Sequence, residues 1–209
     1  PESVSKMTVD GELPLHVACA NEADVQVIKY LVEQWQEAIK ATDHCGWFAL
    51  HFACGYTAPV QWVQCLVGTW PKAVRATNFG GELHMHFACQ YTAPLQVVQY
   101  LVEMYPEAVH ATDVNGELPL HVACANNTVH LQVIQYLVSQ WPESIRTTDS
   151  KQWIALHFAC ANKASVEIVQ YLVETWPESV HTITGGSDGE IPLHFASRYK
   201  ASLQVVQLL

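Results

Sequence analysis

The sequence predicts an all-α fold, an α-solenoid of stacked helix-turn-helix repeats joined by hairpin-like loops, and three observations predict it. The eleven letters GELPLHVACAN occupy residues 11–21 and return unchanged at 116–126, an offset of 105, three times 35. Fainter copies align on one histidine, giving His16, His51, His86, His121, His157 and His194, spaced 35, 35, 35, 36 and 37 residues apart. A second block keeps the same beat: VQVIKYLVEQW, VQWVQCLVGTW, LQVVQYLVEMY, LQVIQYLVSQW, VEIVQYLVETW and a shortened LQVVQLL. A fixed period of this size signals repeat architecture, because one such unit cannot bury its apolar face alone and must stack on its neighbours.

An Asp-x-x-Gly segment, as in Asp113 to Gly116, supplies the turn into a unit, where the aspartate side chain bonds the backbone ahead of it. A short first helix follows, with Leu15, Val17, Ala18 and Cys19 as its apolar run, and alanine two residues after the histidine never varies. In the second helix Ile28, Leu31, Val32, Trp35 and Ile39 recur at three- and four-residue steps, which places them in one stripe. Asp24, Ser165 and Ser202 suit its N-terminus, and Pro59 and Pro94 in the same column fit a first-turn proline. The aromatic column Trp35, Trp70, Tyr105, Trp141 and Trp176 closes the second helix, and its regularity points to packing between repeats rather than to ligand stacking. Pro71, Pro106, Pro142 and Pro177 follow, opening the blocks PKAV, PEAV, PESI and PESV. The glutamine column Gln64, Gln99, Gln135, Gln170 and Gln207 is expected to lie on an outer face. One array over 1–209 results, with repeats at about 8–42, 43–77, 78–112, 113–148, 149–185 and a truncated 186–209, and with 1–7 as the tail of a preceding repeat.

The column Leu-Pro-Leu-His-Val-Ala, with its helix pair and turn, resembles the ankyrin repeat, whose signature is Thr-Pro-Leu-His-x-Ala over about 33 residues. The resemblance covers all six units. Two features depart from the family pattern. The threonine gives way to Leu13, Phe48, Leu83, Leu118, Ile154 and Ile191, so no hydroxyl is present to bond the histidine. The usual glycine loop after the second helix becomes Trp-Pro-Glu-Ala, two residues longer. Pro1-Glu2-Ser3-Val4 repeats the PESV of 177–180, and Leu209 falls inside a second helix. Terminal repeats need a polar outer face, so the expectation is a monomeric segment of a longer array.

Half of the residues are apolar, enough for a continuous core, yet no run approaches the ~18 apolar residues of a membrane span. The net charge of −10 disfavours nucleic acid as a partner and leaves a neutral or basic protein surface or peptide. Five of seven cysteines share a column: Cys19, Cys54, Cys89, Cys124 and Cys160. Stacked helices lie ~8–10 Å apart, while a disulfide needs Cα atoms roughly 4.4–6.8 Å apart. Unpaired thiols in this number point to a reducing compartment, the cytoplasm, with the nucleus also open. Asn126-Asn127-Thr128 is a single match to a glycosylation acceptor.

His-x-x-Cys recurs five times, and residues three apart share a helix face. Zinc needs four donors at ~2.0–2.3 Å, and the next pair stands a full repeat away. A thiol–base dyad wants a third, orienting group, and no acidic or amide column lies beside it. The structural reading therefore holds: histidine links repeats and cysteine fills core. His84-x-His86 is a local doublet in which His84 takes the place of proline or alanine, and Cys45 and Cys65 receive no role. No catalytic residue, metal or cofactor is expected, and the chain reads as no enzyme.

Ankyrin-like stacks imply a concave surface made of hairpin tips and first helices, on which partners dock. Here the column after the turn glycine reads Glu12, Trp47, Glu82, Glu117, Trp153, Glu190, so two tryptophans interrupt a glutamate stripe. Five residues after the histidine stand Asn21, Tyr56, Tyr91, Asn126, Asn162 and Tyr199, and the tips add His44, Phe79 and Lys151. Aromatics on an acidic ledge suit interface anchors. Against this, Trp47 and Trp153 occur in the two units that also carry Ala49 and Ala155 in the proline column, which fits local compensation. The expected partner site is Trp47, Trp153, Tyr56, Tyr91, Phe79, Glu82, Glu117 and Lys151, in a protein-interaction scaffold. A regulatory or docking module of a larger multidomain enzyme is the alternative, and a thiol or metal site a distant third.

Overall fold

The computed structural model describes residues 2–21, 23–55, 59–186 and 189–209. They form two compact units, Pro1–Ala108 and Val109–Leu209. The first contains three helix pairs: α1 (Pro14–Ala20) with α2 (Val25–Gln34), α3 (Ala49–Cys54) with α4 (Val60–Thr69), and α5 (His84–Gln90) with α6 (Leu95–Met104). The second contains α7 (Pro119–Ala125) with α8 (Leu131–Gln140), α9 (Ala155–Ala161) with α10 (Val166–Thr175), and α11 (Pro192–Arg198) with α12 (Leu203–Leu208). Within each unit, first helices pack on first helices and second on second: α1 on α3 on α5 and α2 on α4 on α6, then α7 on α9 on α11 and α8 on α10 on α12.

The alanine and cysteine columns make the tight first-helix packing possible, because small side chains let helix axes approach. Ala53, Ala123, Ala159 and Ala196 have no exposed surface. The five column cysteines are buried, and all seven cysteines are free thiols, with Cys45 exposed and Cys65 half-buried. The stripe of the second helix supplies the other half of the core, as in Ile28, Val63, Leu66, Val98, Ile134 and Leu172.

The stripe does not stay within one helix. Helix α2 ends at Gln34, and Ile39 is buried from a separate 3-10 helix, Gln36–Lys40. The same short helix recurs at Pro71–Arg75, Pro106–His110, Pro142–Arg146 and Pro177–His181. This is what the longer connector builds. Proline opens four of the five because its fixed φ suits a first helical position. Ile39, Val74, Val109 and Ile145 turn inward from the first four, and Val180 of the fifth is half-buried.

Two end-cap assignments change. Pro59 and Pro94 are N-caps with extended backbone, one residue before α4 and α6, rather than first-turn residues. Pro14, Pro119 and Pro192 take the first helical position of α1, α7 and α11 instead. Asp24 and Ser202 cap α2 and α12 by accepting from Gln26 N and Val205 N, whereas Ser165 makes no such bond at α10.

Candidate functional site

The hairpin tips rest on one polar side chain per repeat. Asp43 Oδ1 accepts from the backbone N–H of Cys45 at 2.9 Å and of Trp47 at 2.8 Å. Asp149 does the same for Lys151 and Trp153, at 2.8 and 2.7 Å, and Asp113 for Asn115 and Glu117, at 2.9 and 2.8 Å. Asn78 accepts from Glu82 N at 2.9 Å and donates to its carboxylate at 2.6 Å. The turn closes on a positive φ, +82° at Gly46 and +78° at Gly116, a region glycine enters without steric cost. Neighbouring tips are also tied: His44 N donates to Asp10 O at 3.0 Å, Ser150 N to Asn115 O at 3.0 Å and Gly185 N to Lys151 O at 2.9 Å.

Behind the tips stands the histidine column. The Nδ1 of His16 accepts from Leu13 N at 3.0 Å, the position where the threonine is missing, and His51, His86, His121, His157 and His194 repeat the contact. The proton therefore sits on Nε2, which donates to a backbone carbonyl at the junction with the following repeat: His16 to Ala41 at 3.2 Å, His51 to Glu82 at 3.3 Å, His121 to Thr147 at 3.0 Å and His157 to Glu190 at 3.3 Å. A backbone N–H thus replaces the absent hydroxyl. Burial lowers the pKa of His16 and His157, and takes His51 down to about 4 against its two hydrogen bonds. His84 is buried, stacks on His51 with ring centroids 3.9 Å apart, and leaves both ring nitrogens without a hydrogen-bond partner. Burial, with His51 beside it, holds its pKa well below the ordinary value. The described residues hold no group of three or more His, Cys, Asp or Glu side chains placed to bind a metal.

The residues expected to meet a partner fall into three environments. Phe79 is 76% exposed and lies over Gly46, where an added Cβ would stand 2.7 Å from its ring. Lys151 is also exposed. Trp47 is half-buried, edge-on to Phe52 at 5.4 Å and Phe87 at 4.8 Å. Trp153 repeats this with Phe158 at 5.3 Å and Phe195 at 4.6 Å, and Lys151 Nζ lies 5.8 Å from its ring centre. Each tryptophan is wedged between two phenylalanines of successive repeats. Glu82 and Glu117 are half-buried, and Tyr91 ends α5 against Phe87 and above Gly55. Tyr56 lies outside the described residues.

One column escaped the sequence reading. Each 3-10 helix after the second helix ends on a basic residue: Lys40, Arg75, His110, Arg146 and His181. Three of these reach the closing aromatic of the next repeat: Arg75 over Tyr105 at 4.9 Å, His110 edge-on to Trp141 at 4.5 Å and Arg146 over Trp176 at 5.6 Å. The beat is visible in the sequence one residue beyond the PEAV-type block. In the last described repeat Arg198 pairs with Glu190 through both guanidinium nitrogens and covers Phe195.

Helix pairs stacked through a histidine relay, with tips bound by an aspartate or asparagine, define a helix-turn-helix repeat protein. Family models for ankyrin repeats match residues 10–44, 85–184 and 133–209, and the chain belongs to the ankyrin repeat family. The crystal structure of the ankyrin repeat domain of Bcl-3, described as a unique member of the IkappaB protein family, is similar at 23% identity and a TM-score of 0.70. That match covers 98% of this chain and 85% of the other. The fold is accordingly the α-solenoid of helix-turn-helix repeats. No curated protein matches the sequence.

Proposed function

We propose that the chain binds a protein partner through the face made by its hairpin tips and first helices, with no catalysis of its own. Membership in the ankyrin repeat family supports a protein-interaction module, and the tip geometry supports the face. The observation that carries the reading is Phe79: a phenylalanine 76% exposed on a tip that is itself fixed by hydrogen bonds. A rigidly held exposed aromatic adds contact area at little cost in ordering. On the first unit Glu82, Tyr91 and Tyr56 are the further candidate contacts and on the second Glu117 and Lys151, while Trp47 and Trp153 offer, each on its own unit, the portions of their rings that neighbouring phenylalanines leave uncovered. The acidic stripe suits a neutral or basic partner surface. Five buried thiols suit a reducing compartment, which we assign as the cytoplasm or nucleus.

The test is affinity capture with the chain, followed by titration of the captured protein against variants. Phe79→Ala should weaken binding by about 2 kcal/mol if it anchors the partner, without altering stability. Trp47→Ala and Trp153→Ala should weaken binding and lower stability together, since each ring also packs between repeats. Gln99→Ala with Gln135→Ala should change nothing. Loss of binding in the glutamine pair, with Phe79→Ala binding normally, would mean that the partner uses another face.

A further inference from the structure

The 3-10 helices that follow the second helices share a letter pattern, an acid at the second position and a basic residue at the last, and one of them breaks it. Their second position reads Glu37, Lys72, Glu107, Glu143 and Glu178, and their last position is basic throughout. In the first, Lys40 Nζ bonds Glu37 at 2.9 and 3.2 Å, an i,i+3 pair on one turn. In Pro71–Arg75 Lys72 takes the place of the acid, so two cations stand where Gln36–Lys40 has an ion pair, and neither has an ion-pair partner among the described residues. This occurs on a chain whose net charge is −10.

The two cations flank a groove. It is lined by Pro71, Lys72, Val74, Arg75 and Met104. Lys72 and Arg75 are exposed, and Met104, at the end of α6, is 38% exposed, so its thioether forms an apolar patch beside the two cations. Arg75 is held by its cation–π contact on Tyr105, 4.9 Å away, which orders the guanidinium while leaving its N–H edge available for a carboxylate. Glu103, the neighbour of Met104, lines no part of the groove and acts on Tyr100, whose phenol is pushed up by burial and then by that charge.

We propose that this groove binds an acidic peptide segment in which two carboxylates bracket one apolar side chain. The carboxylates meet Lys72 and Arg75, the latter in a bidentate fork, and the apolar residue covers Met104 and the Pro71 ring. The negative charge of the whole chain does not oppose this at close range. At physiological salt, exposed charges more than ~8 Å apart are largely screened, so the two local cations govern the contact. The groove is separate from the tip face and takes a partner of opposite charge.

Arrayed octapeptides carrying zero, one or two acidic residues around a central leucine, phenylalanine or serine test the proposal, with the chain as the soluble ligand. The tightest binders should carry two acidic residues around leucine or phenylalanine. Their affinity should fall about tenfold with Lys72→Glu, the effect of replacing an attractive contact by a like charge. That variant restores the pair seen at Glu37 and Lys40, so it should fold normally, as circular dichroism would verify. Met104→Ser should weaken the same peptides, whereas Phe79→Ala should leave them unaffected. Binding without preference for acidic residues, or acidic binding unchanged in Lys72→Glu, would overturn the proposal. So would a single-stranded oligonucleotide that displaces the peptides at equal affinity, because the groove would then select phosphate charge and not this peptide pattern.

Discussion

At the scale of single residues, His16, His51 and His157 of the histidine column are neutral donors and acceptors, and their protonation opposes folding. The folded pKa of His51 is depressed from 6.5 to about 4 by burial, so the unfolded chain binds this proton more readily than the folded one. The stabilisation is complete above the unfolded value and is lost as pH falls from about 6.5 to about 4, on the order of 3 kcal/mol for His51 alone. His84 works in the same direction, and its orphan nitrogens carry a desolvation cost at every pH. Urea midpoints should therefore fall between pH 7.5 and pH 4.5. His84→Pro, which restores the residue found in three other repeats at a helix position that accepts proline, should raise the neutral midpoint and flatten the pH dependence. An unchanged slope in that variant would mean that the His51–His84 stack contributes nothing to acid sensitivity. The thiols behave consistently: burial pushes Cys89 and Cys160 up to about 12. Alkylation of the native chain at pH 7.5, followed by mass spectrometry, should label Cys45 first, Cys65 next and the five column cysteines only on unfolding.

At the scale of elements, the helix pairs were legible in the sequence because packing dictates their letters: a stacked first helix needs small residues at fixed steps, and the second needs a three-four stripe. The connector was less legible. Pro-Glu-Ala fixes where the second helix stops but not that the chain continues as a 3-10 helix, and Ile39 fits the helical stripe equally well from either geometry. The histidine partner was also missed for a physical reason, since the Leu13 N–H that replaces the threonine hydroxyl is backbone and leaves no letter. For the candidate site, the column positions were legible, but burial was not. Trp47 and Phe79 both read as tip aromatics, and only three-dimensional contacts separate the wedged ring from the exposed one. The tip itself depends on its aspartate. Asp149, 7% exposed, accepts two backbone N–H bonds, so Asp149→Ala should leave those donors unpaired and cost about 2 kcal/mol. Urea unfolding of the variant checks the value, and amide exchange should quicken at Lys151 and Trp153 while staying slow in the core of α9.

At the scale of the whole molecule, stability should follow from neighbour contacts, because each described helix pair packs on the pair next to it within its unit. In the second unit, α11 packs on α9 and α12 on α10, and neither is required by the α7–α8 pair. Stability in such an array is close to a sum of repeat and interface contributions. Removing residues 182–209 therefore deletes one helix pair and one interface and leaves the remaining interfaces intact. The shortened chain should keep its helical circular dichroism per residue while its urea midpoint falls, since the apolar surface that Phe195 and Val205 contribute to is no longer buried. The transition should also lose steepness, because its denaturant slope scales with the surface exposed on unfolding. The opposite result, a chain with no helical signal after the same truncation, would require contacts between distant repeats holding the fold together, and the neighbour-packing account of this molecule would fail.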